Sequence, residues 1–177
     1  MRKTPIILSI VVVTGLILTP FLPKKIAINP TPSAPKGLYL IEKFQKNNIK
    51  KGDYIIIPVP KAYQSLVVAR RYLAANIPLL KQIVALEGDQ ICIEKSQVFI
   101  NGSYKTTALK VDRRGRKMPE LSGCFTLKSD QFFALMPANN SLDSRYFGAL
   151  EFKNIIGIAH PFWLWSLEDK ELEEWRK

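Results

Sequence analysis

Short apolar runs separated by turn signals predict a β-rich domain. The runs predicted as strands cover residues 37–41, 54–58, 79–86, 90–93, 97–100, 125–127, 132–136 and 155–158. Asn101 and Gly102 give the strongest turn signal, because this dipeptide favours tight hairpin turns. Many short strands with frequent turns favour a mainly β fold, either a sheet or a barrel.

Other segments depart from this pattern. Apolar residues at helical spacing predict an amphipathic helix over residues 61–75. Residues 29–35 contain three prolines, so we expect an extended or turning segment there. Residues 105–123 are polar and basic, which predicts an exposed excursion, and residues 168–177 predict a charged helix or tail.

The N-terminus predicts one transmembrane helix. Residues 4–23 carry no charge and are mostly aliphatic, and as a helix they would span about 30 Å, the thickness of a bilayer core. A cleaved secretory signal and an uncleaved anchor are both compatible with this segment. We favour the anchor, because no small-residue cleavage site follows. The predicted organisation is an anchor over 1–23, a catalytic domain over 24–165 and a charged tail over 166–177.

Composition narrows the chemistry. The chain of 177 residues has 26 Lys and Arg against 15 Asp and Glu, and the densest basic cluster covers residues 113–117. This cluster contains a glycine and no aromatic residue, so we interpret it as a solvated loop rather than a nucleic-acid site. A single histidine, His160, and two cysteines predict no metal centre and no cofactor. A serine hydrolase here would use either His160 or a base other than histidine.

Lys81 is a candidate general base. A lysine acts as a base only when its amine is neutral, and desolvation lowers its pKa. Lys81 lies in an aliphatic run, with Leu79 and Ile83 on its own face of the predicted strand. From this run alone, an edge-strand lysine that prevents aggregation is the favoured interpretation.

Ser33 is a candidate nucleophile. Pro32 and Pro35 restrict the backbone around it, and the small Ala34 leaves room for a substrate. Thr31, two residues earlier, could turn its hydroxyl to the same side and help the Ser33 N–H bind an oxyanion. A proline-rich linker is the alternative.

The third candidate segment, residues 139–148, is dense in hydrogen-bonding side chains. Asp143 and Arg145 could form an ion pair, and Ser141 could orient a neutral lysine amine. A polar loop with a structural ion pair is the alternative.

Together these three segments resemble the type I signal peptidase family, and most closely its conjugative-transfer, TraF-like branch. The segments are Asn29-Pro-Thr-Pro-Ser-Ala-Pro-Lys-Gly-Leu-Tyr39, Leu80-Lys-Gln-Ile-Val-Ala-Leu-Glu-Gly-Asp89 and Ser141-Leu-Asp-Ser-Arg-Tyr-Phe-Gly148. The housekeeping branch has Met after the serine, whereas this chain has Ala34, which favours the conjugative branch. The resemblance implies a signal-peptidase-like β fold with Ser33 as nucleophile, Lys81 as general base, Thr31 as oxyanion donor and Ser141 as the group that orients Lys81.

The expected protein is a membrane-anchored serine endopeptidase that cleaves signal or leader peptides, with a conjugative pilin precursor as the expected substrate. We expect it in the cytoplasmic membrane, next to lipid, with its catalytic domain on the outer side and without nucleic acid. A housekeeping signal peptidase and a non-catalytic tethered subunit of a secretion assembly are the alternatives. On the outer side Cys92 and Cys124 could pair as a disulfide, and two buried thiols are the alternative.

Overall fold

The computed structural model describes residues 25–31, 33–74 and 76–165, and this part of the chain is mainly β. The strands are β1 (Ile26–Asn29), β2 (Gly37–Glu42), β3 (Tyr54–Ile57), β4 (Leu79–Ala85), β5 (Gln90–Glu94), β6 (Gln97–Ile100), β7 (Ser103–Thr107), β8 (Gly123–Thr126), β9 (Gln131–Leu135), β10 (Leu150–Glu151) and β11 (Gly157–Leu164). The helices are α1 (Lys61–Ala69) and α2 (Ser144–Phe147), with single 3₁₀ turns at Lys46–Asn48 and Phe152–Asn154.

Within these described ranges, no helix is long and apolar enough to cross a membrane. The predicted anchor over residues 4–23 and the predicted charged C-terminal tail lie outside the described residues.

The strands form two sheets. The larger has the order β1-β2-β11-β3-β4-β9-β10, and the smaller has the order β7-β6-β5-β8. In neither sheet do the first and last strands of the order pair with each other. Of the two predicted alternatives, a sheet and a barrel, the described strands therefore form open sheets. β3 and β4 lie at the centre of the larger sheet, which explains their nearly continuous apolar sequences, since central strands are covered on both faces.

Three apolar clusters fill the interior. The first covers one face of β3 and β4, where Ile55, Ile57 and Ile83 are buried. The second packs the smaller sheet against β9 through Ile91, Val98 and Phe133. The third, called the loop cluster below, contains Ala34, Tyr39, Tyr54, Ile56, Met136 and Ala159.

The predicted hairpin is confirmed. β5 and β6 pair antiparallel, and Asn101 and Gly102 turn the chain from β6 into β7 with φ angles of 50° and 79°. The structure also joins Cys92 to Cys124, which face each other on β5 and β8, by a disulfide.

The helix predicted over residues 61–75 ends six residues early, at Ala69. Arg71 adopts φ = 56°, and its N–H donates to Val68 O while the N–H of Tyr72 donates to Val67 O. This is a Schellman ending, which usually places glycine where Arg71 stands. The sequence therefore lacked the ordinary stop signal.

Other elements also differ from the prediction. β1, α2 and the short β10 were not predicted, and β11 starts two residues later and extends further than the predicted strand over 155–158. β7 and β8 extend into the two ends of the predicted excursion over 105–123.

Candidate active site

Lys81 lies in the middle of the larger sheet. Its partner on β3 is Ile55, and only 4% of Lys81 is exposed. The Nζ atom donates a hydrogen bond to Ser141 Oγ at 2.9 Å, from a residue 60 positions further along the chain. The interpretation of Lys81 as a solvent-exposed edge-strand lysine is therefore wrong, because β4 lies between β3 and β9.

Asp143 and Arg145 form a fully buried ion pair near Lys81. Arg145 Nε donates to Asp143 Oδ1 at 2.8 Å, and Arg145 Nη2 donates to Oδ2 at 3.0 Å. Arg145 also donates to the carbonyls of Met136 and Asn139, and Asp143 accepts from the Met136 N–H. A bidentate pair with its remaining sites filled is the geometry in which buried charges are tolerated.

The environment of Lys81 lowers its pKa to about 8, from an ordinary value of 10.5. Burial is the largest cause, because desolvation disfavours the charged amine. The negative charge of Asp143 raises this pKa and the positive charge of Arg145 lowers it. Since Arg145 occupies both carboxylate oxygens of Asp143, the acid does not restore a full positive charge on Lys81. With a pKa of about 8, about a tenth of the amine is neutral at pH 7, and this fraction grows as the pH rises.

Ser141 is held where it meets Lys81. Its backbone N–H donates to Ala138 O, and its side chain is 1% exposed. Asp143 caps the following helix α2 by accepting from the Arg145 N–H. The ion pair thus fixes the backbone two residues after Ser141, so Ser141 and Arg145 belong to one rigid turn.

Ser33 lies in a loop between β1 and β2 that Asn29 organises. Asn29 Nδ2 donates to the carbonyls of Thr31, Ala34 and Pro35, each at 3.1 Å. Asn29 Oδ1 accepts from the N–H and the hydroxyl of Thr31. One buried amide therefore substitutes for the backbone ladder that the prolines of this loop prevent.

The hydroxyls of Thr31 and Ser33 lie 3.1 Å apart. Thr31 Oγ1 donates its single hydrogen to Asn29 Oδ1 at 2.8 Å, so the hydrogen between the two hydroxyls comes from Ser33. The backbone N–H of Ser33 donates to no residue that the structure describes. It is therefore available to an incoming oxyanion.

The loop of Ser33 and the strand of Lys81 meet through the loop cluster. Ala34, next to Ser33, packs in that cluster with Met136, and Leu80, next to Lys81, packs against it. Met136 also receives the contacts of Asp143 and Arg145. Among the described residues, however, no hydrogen bond joins Ser33 to Lys81.

His160 lies away from this centre. It is exposed on β11, and its Nε2 atom lies 3.0 Å from Glu42 Oε2. Its described partner is thus a surface carboxylate rather than Ser33 or Lys81.

Three contributors had no role assigned from the sequence: Asn29, Tyr39 and Met136. Asn29 and Tyr39 both stand in the segment that carries the resemblance, and the Tyr39 hydroxyl donates to Pro35 O at 2.7 Å. Burial raises the pKa of Tyr39, so the hydroxyl stays a donor. Only the proline spacing hinted that this loop needs side-chain hydrogen bonds. Met136 carries no signal beyond ending a predicted strand.

Comparison with known proteins identifies the family of this site. A family model described as signal peptidase, peptidase S26, matches residues 2–164. The probable conjugal transfer protein TraF of Sinorhizobium fredii (strain NBRC 101917 / NGR234) is 32% identical over 140 residues, which cover 75% of this chain and 73% of the relative. The conjugal transfer protein TraF of Agrobacterium fabrum is 29% identical, covering 76% of this chain and 80% of that protein.

The chain therefore belongs to the signal peptidase family, peptidase S26, and is a hydrolase of the signal peptidase type. This confirms the predicted resemblance. A plasmid transfer protein TraF of Escherichia coli is also similar, at 28% identity over 78% of this chain and 82% of that protein. Among solved structures, a signal peptidase I from Enterococcus faecalis V583 is 17% identical with a TM-score of 0.37, covering 66% of this chain and 98% of that chain.

Proposed function

We propose that the protein is a membrane-anchored serine endopeptidase in which Ser33 and Lys81 form the catalytic dyad. The observation that carries this proposal is the buried Lys81, whose pKa is lowered to about 8 and whose Nζ atom is oriented by Ser141. A lysine in this state is costly for the fold, and such perturbed groups cluster at functional sites.

The reaction starts with neutral Lys81. Its lone pair accepts the proton of Ser33 Oγ while that oxygen attacks the scissile carbonyl, and the resulting ammonium then protonates the leaving amine. A water molecule hydrolyses the acyl-enzyme with Lys81 again as the base. Formation of the Ser33–Lys81 hydrogen bond accompanies substrate binding, as catalytic hydrogen bonds often tighten only in the complex.

The oxyanion is stabilised by the free N–H of Ser33 and by the Thr31 hydroxyl. Thr31 donates to Asn29 in the free enzyme, so its hydrogen has to rotate from Asn29 Oδ1 to the substrate oxygen. Asn29 Oδ1 keeps the hydrogen bond from the backbone N–H of Thr31 when the hydroxyl rotates away. Thr31 and Ser33 are two residues apart in a loop that one side chain fixes, which keeps both donors on one side.

Membrane anchoring is supported by the sequence of residues 4–23 and by an exposed apolar surface, called the apolar patch below. It consists of Ile26, Ile28, Phe162, Trp163 and Trp165, each more than half exposed. Ile28 and Trp163 both face Leu38 across the sheet, so the patch is continuous over β1, β2 and β11. Exposed patches rich in Trp are typical of membrane contacts.

The apolar patch adjoins the loop of Ser33. β1 ends at Asn29, four residues before the nucleophile, and the N–H of Trp165 donates to Lys36 O, three residues after it. A bilayer in contact with the patch would therefore hold Ser33 at the membrane surface, where the end of a signal helix emerges. The disulfide between Cys92 and Cys124 supports a location on the outer side of the cytoplasmic membrane, because disulfides persist in oxidising compartments.

The proposed substrate is a conjugative pilin precursor. The support is the naming of the relatives as conjugal or plasmid transfer proteins, together with Ala34 in the position after the nucleophile. The direct test incubates a conjugative pilin precursor, and a general secretory precursor, with wild type, Ser33→Ala and the control Ser65→Ala. We expect wild type and Ser65→Ala to cleave the pilin precursor and Ser33→Ala to leave it intact. Efficient cleavage of the secretory precursor alone would instead support a housekeeping enzyme, and cleavage of neither would support a tethered subunit.

A further inference from the structure

A basic cavity lies beside the loop that carries Ser141. It has a volume of roughly 490 Å³, within the range of cavities that hold ligands of several side chains in size. Five arginines line it, against one acid, Asp112; they are Arg70, Arg71, Arg113, Arg114 and Arg116. Three residues of the cluster over 113–117 thus line a cavity, and two of them, Arg113 and Arg114, are also exposed, as the predicted solvated loop implies.

Two of these arginines build the wall. Arg70 donates to Lys117 O at 2.8 Å, and Arg116 donates to Asp112 at 2.7 Å and stacks over Tyr72. The carboxylate of Asp112 is occupied by hydrogen bonds within this wall, because it also accepts from Tyr72 and from the backbone N–H groups of Arg114 and Arg116. The hydrogen bond from Tyr72 is the largest of the effects that hold the pKa of Asp112 well below its usual range.

The other three guanidinium groups, of Arg71, Arg113 and Arg114, are exposed and have no partner among the described residues. Arg71 stands at the left-handed position after α1, where glycine is the favoured residue. Arg71 thus lines the cavity although its backbone conformation is unfavourable for a residue other than glycine. Three unpaired guanidinium groups around one concavity form a site for carboxylates, which match their planar donor geometry.

The cavity adjoins the segment that carries Ser141. Asn140 and Leu142 line it, and they flank Ser141, whose hydroxyl accepts from Lys81. Tyr146, from the same segment, also lines the cavity, and its hydroxyl accepts from the Leu109 N–H at 2.9 Å. The three unpaired arginines thus line a cavity whose wall includes both neighbours of Ser141, the residue that orients the proposed base.

We propose that the basic cavity binds carboxylate side chains of the precursor polypeptide close to its cleavage site, so that the enzyme selects substrates with acidic residues there. This rests on the proposed function, because it assumes that a polypeptide occupies the Lys81 centre. Anionic lipid is the weaker candidate. None of the five residues of the apolar patch lines the cavity, whereas both neighbours of Ser141 do.

The test measures binding rather than turnover. The full-length Ser33→Ala protein in neutral detergent is titrated with short fluorescent peptides that carry small residues before the cleavage site. Glu is placed in turn at each position on either side of that site, and each peptide is compared with its Gln counterpart by fluorescence anisotropy. We expect Glu to tighten binding by about tenfold at one or more positions, and added salt to reduce the difference.

Two triple variants, each of which removes three positive charges, show which residues cause the preference for Glu. Arg71→Gln/Arg113→Gln/Arg114→Gln should bind the Glu and Gln peptides alike. Lys43→Gln/Lys61→Gln/Lys128→Gln removes the same number of exposed positive charges elsewhere and should keep the preference. If the arginine triple fails to fold, Arg113→Gln/Arg114→Gln should show a clearly reduced preference with an unchanged melting temperature.

Equal binding of Glu and Gln peptides at every position would overturn the proposal, as would an equal loss in both triple variants. Flotation with phosphatidylglycerol vesicles tests the lipid alternative. If the arginine triple loses vesicle binding but keeps the peptide preference, the cavity serves lipid and the proposal is wrong. Failure of the dyad itself is distinguishable, because it would appear as cleavage by Ser33→Ala and would leave the binding preference untouched.

Discussion

Lys81 Nζ donates to Ser141 Oγ at 2.9 Å, and this single bond connects two segments that lie 60 residues apart. It orients the amine from one side. The lone pair of the neutral amine can then turn to Ser33. The buried Asp143–Arg145 pair fixes Ser141 without supplying an unpaired negative charge that would keep Lys81 protonated. Ser141 therefore sets the position of the proposed base, and burial is the main cause of its lowered pKa.

The pH dependence of cleavage should follow Lys81. Only the neutral amine accepts the proton of Ser33, so kcat/KM should rise by about tenfold per pH unit at acidic pH and level off above the pKa. With the pKa of Lys81 at about 8, the change of slope is expected near pH 8. The measurement is a pH profile of kcat/KM for wild type and His160→Gln.

His160→Gln provides the control for this profile. His160 contacts Glu42 on the surface, so its replacement should leave the acidic limb unchanged. A profile whose acidic limb disappears in His160→Gln would assign the base to His160 and contradict the proposed dyad.

Lys81 should also cost stability, and the sign of that cost follows from its pKa. A lysine whose pKa falls from 10.5 in the unfolded chain to about 8 in the folded protein binds its proton more weakly when folded. The penalty is complete below pH 8 and disappears as the pH rises through 10.5, since both states are then neutral. The shift corresponds to about 3 kcal/mol.

We therefore expect Lys81→Met to be inactive yet more stable than wild type. Its free energy of unfolding should exceed that of wild type by up to about 3 kcal/mol at neutral pH, with the difference shrinking towards pH 10.5. Urea unfolding at several pH values measures this. The exposed Lys43→Met serves as control and should show no such pH-dependent gain. A Lys81→Met protein that is less stable than wild type at neutral pH would contradict the described environment of Lys81.

Asn29 should be a positioning residue for the nucleophile. Asn29→Asp keeps the size of the side chain but replaces the Nδ2 donor by an oxygen facing the carbonyls of Thr31, Ala34 and Pro35. We expect kcat to fall by about 10²-fold through displacement of Ser33, with a much smaller change in KM. The free energy of unfolding should fall by about 1–3 kcal/mol, because buried carbonyls lose their donor.

Steady-state kinetics and urea unfolding of Asn29→Asp, beside the exposed control Asn48→Asp, measure both effects. An Asn29→Asp enzyme with wild-type kcat would mean that the prolines alone hold the loop, and that Asn29 has no positioning role.

Most features that depend on residues close together in the sequence were predicted, and most features that depend on distant residues were not. β4 was predicted because its apolar run is local, and the turn after β6 because Asn101-Gly102 carries its own conformational preference. The strand β1 was not predicted, since as an edge strand it leaves Ile26 and Ile28 exposed and shows no inward-facing apolar pattern. The early end of α1 was not predicted because Arg71 takes the position normally held by glycine.

The same distinction between local and long-range information applies to the candidate site. Ser33, Lys81 and Ser141 were selected from motifs in their own segments, but their contacts depend on strand pairing that no local pattern encodes. The role of Asn29 required knowing that the loop folds back over its side chain. The basic cavity required bringing Arg71 next to the cluster over residues 113–117, which α1 and the turn at Asp112 accomplish together.

The disulfide predicts a redox-dependent stability. Cys92 and Cys124 close a loop with a sequence separation of 32, which in the chain-entropy model contributes about 3–4 kcal/mol. The free energy of unfolding of Cys92→Ser/Cys124→Ser should therefore be lower by about that amount, so this variant should unfold at a lower urea concentration. When the protein is extracted from its native membrane and unfolded without reductant, an alkylating reagent should label neither cysteine. Rapid labelling of both would show that the bridge does not form in the cell, and would count against an outer location of the domain.

The central claim is that Ser33 and Lys81 act as one catalytic unit, and a double-mutant comparison tests it most directly. Turnover of one purified precursor is measured for wild type, Ser33→Ala, Lys81→Met and the double variant, with folding checked by circular dichroism. Because the members of a dyad depend on each other, each single variant should lose nearly all activity and the double variant should be no worse than either. Normal turnover by either single variant, or losses that multiply in the double variant, would contradict the Ser–Lys mechanism.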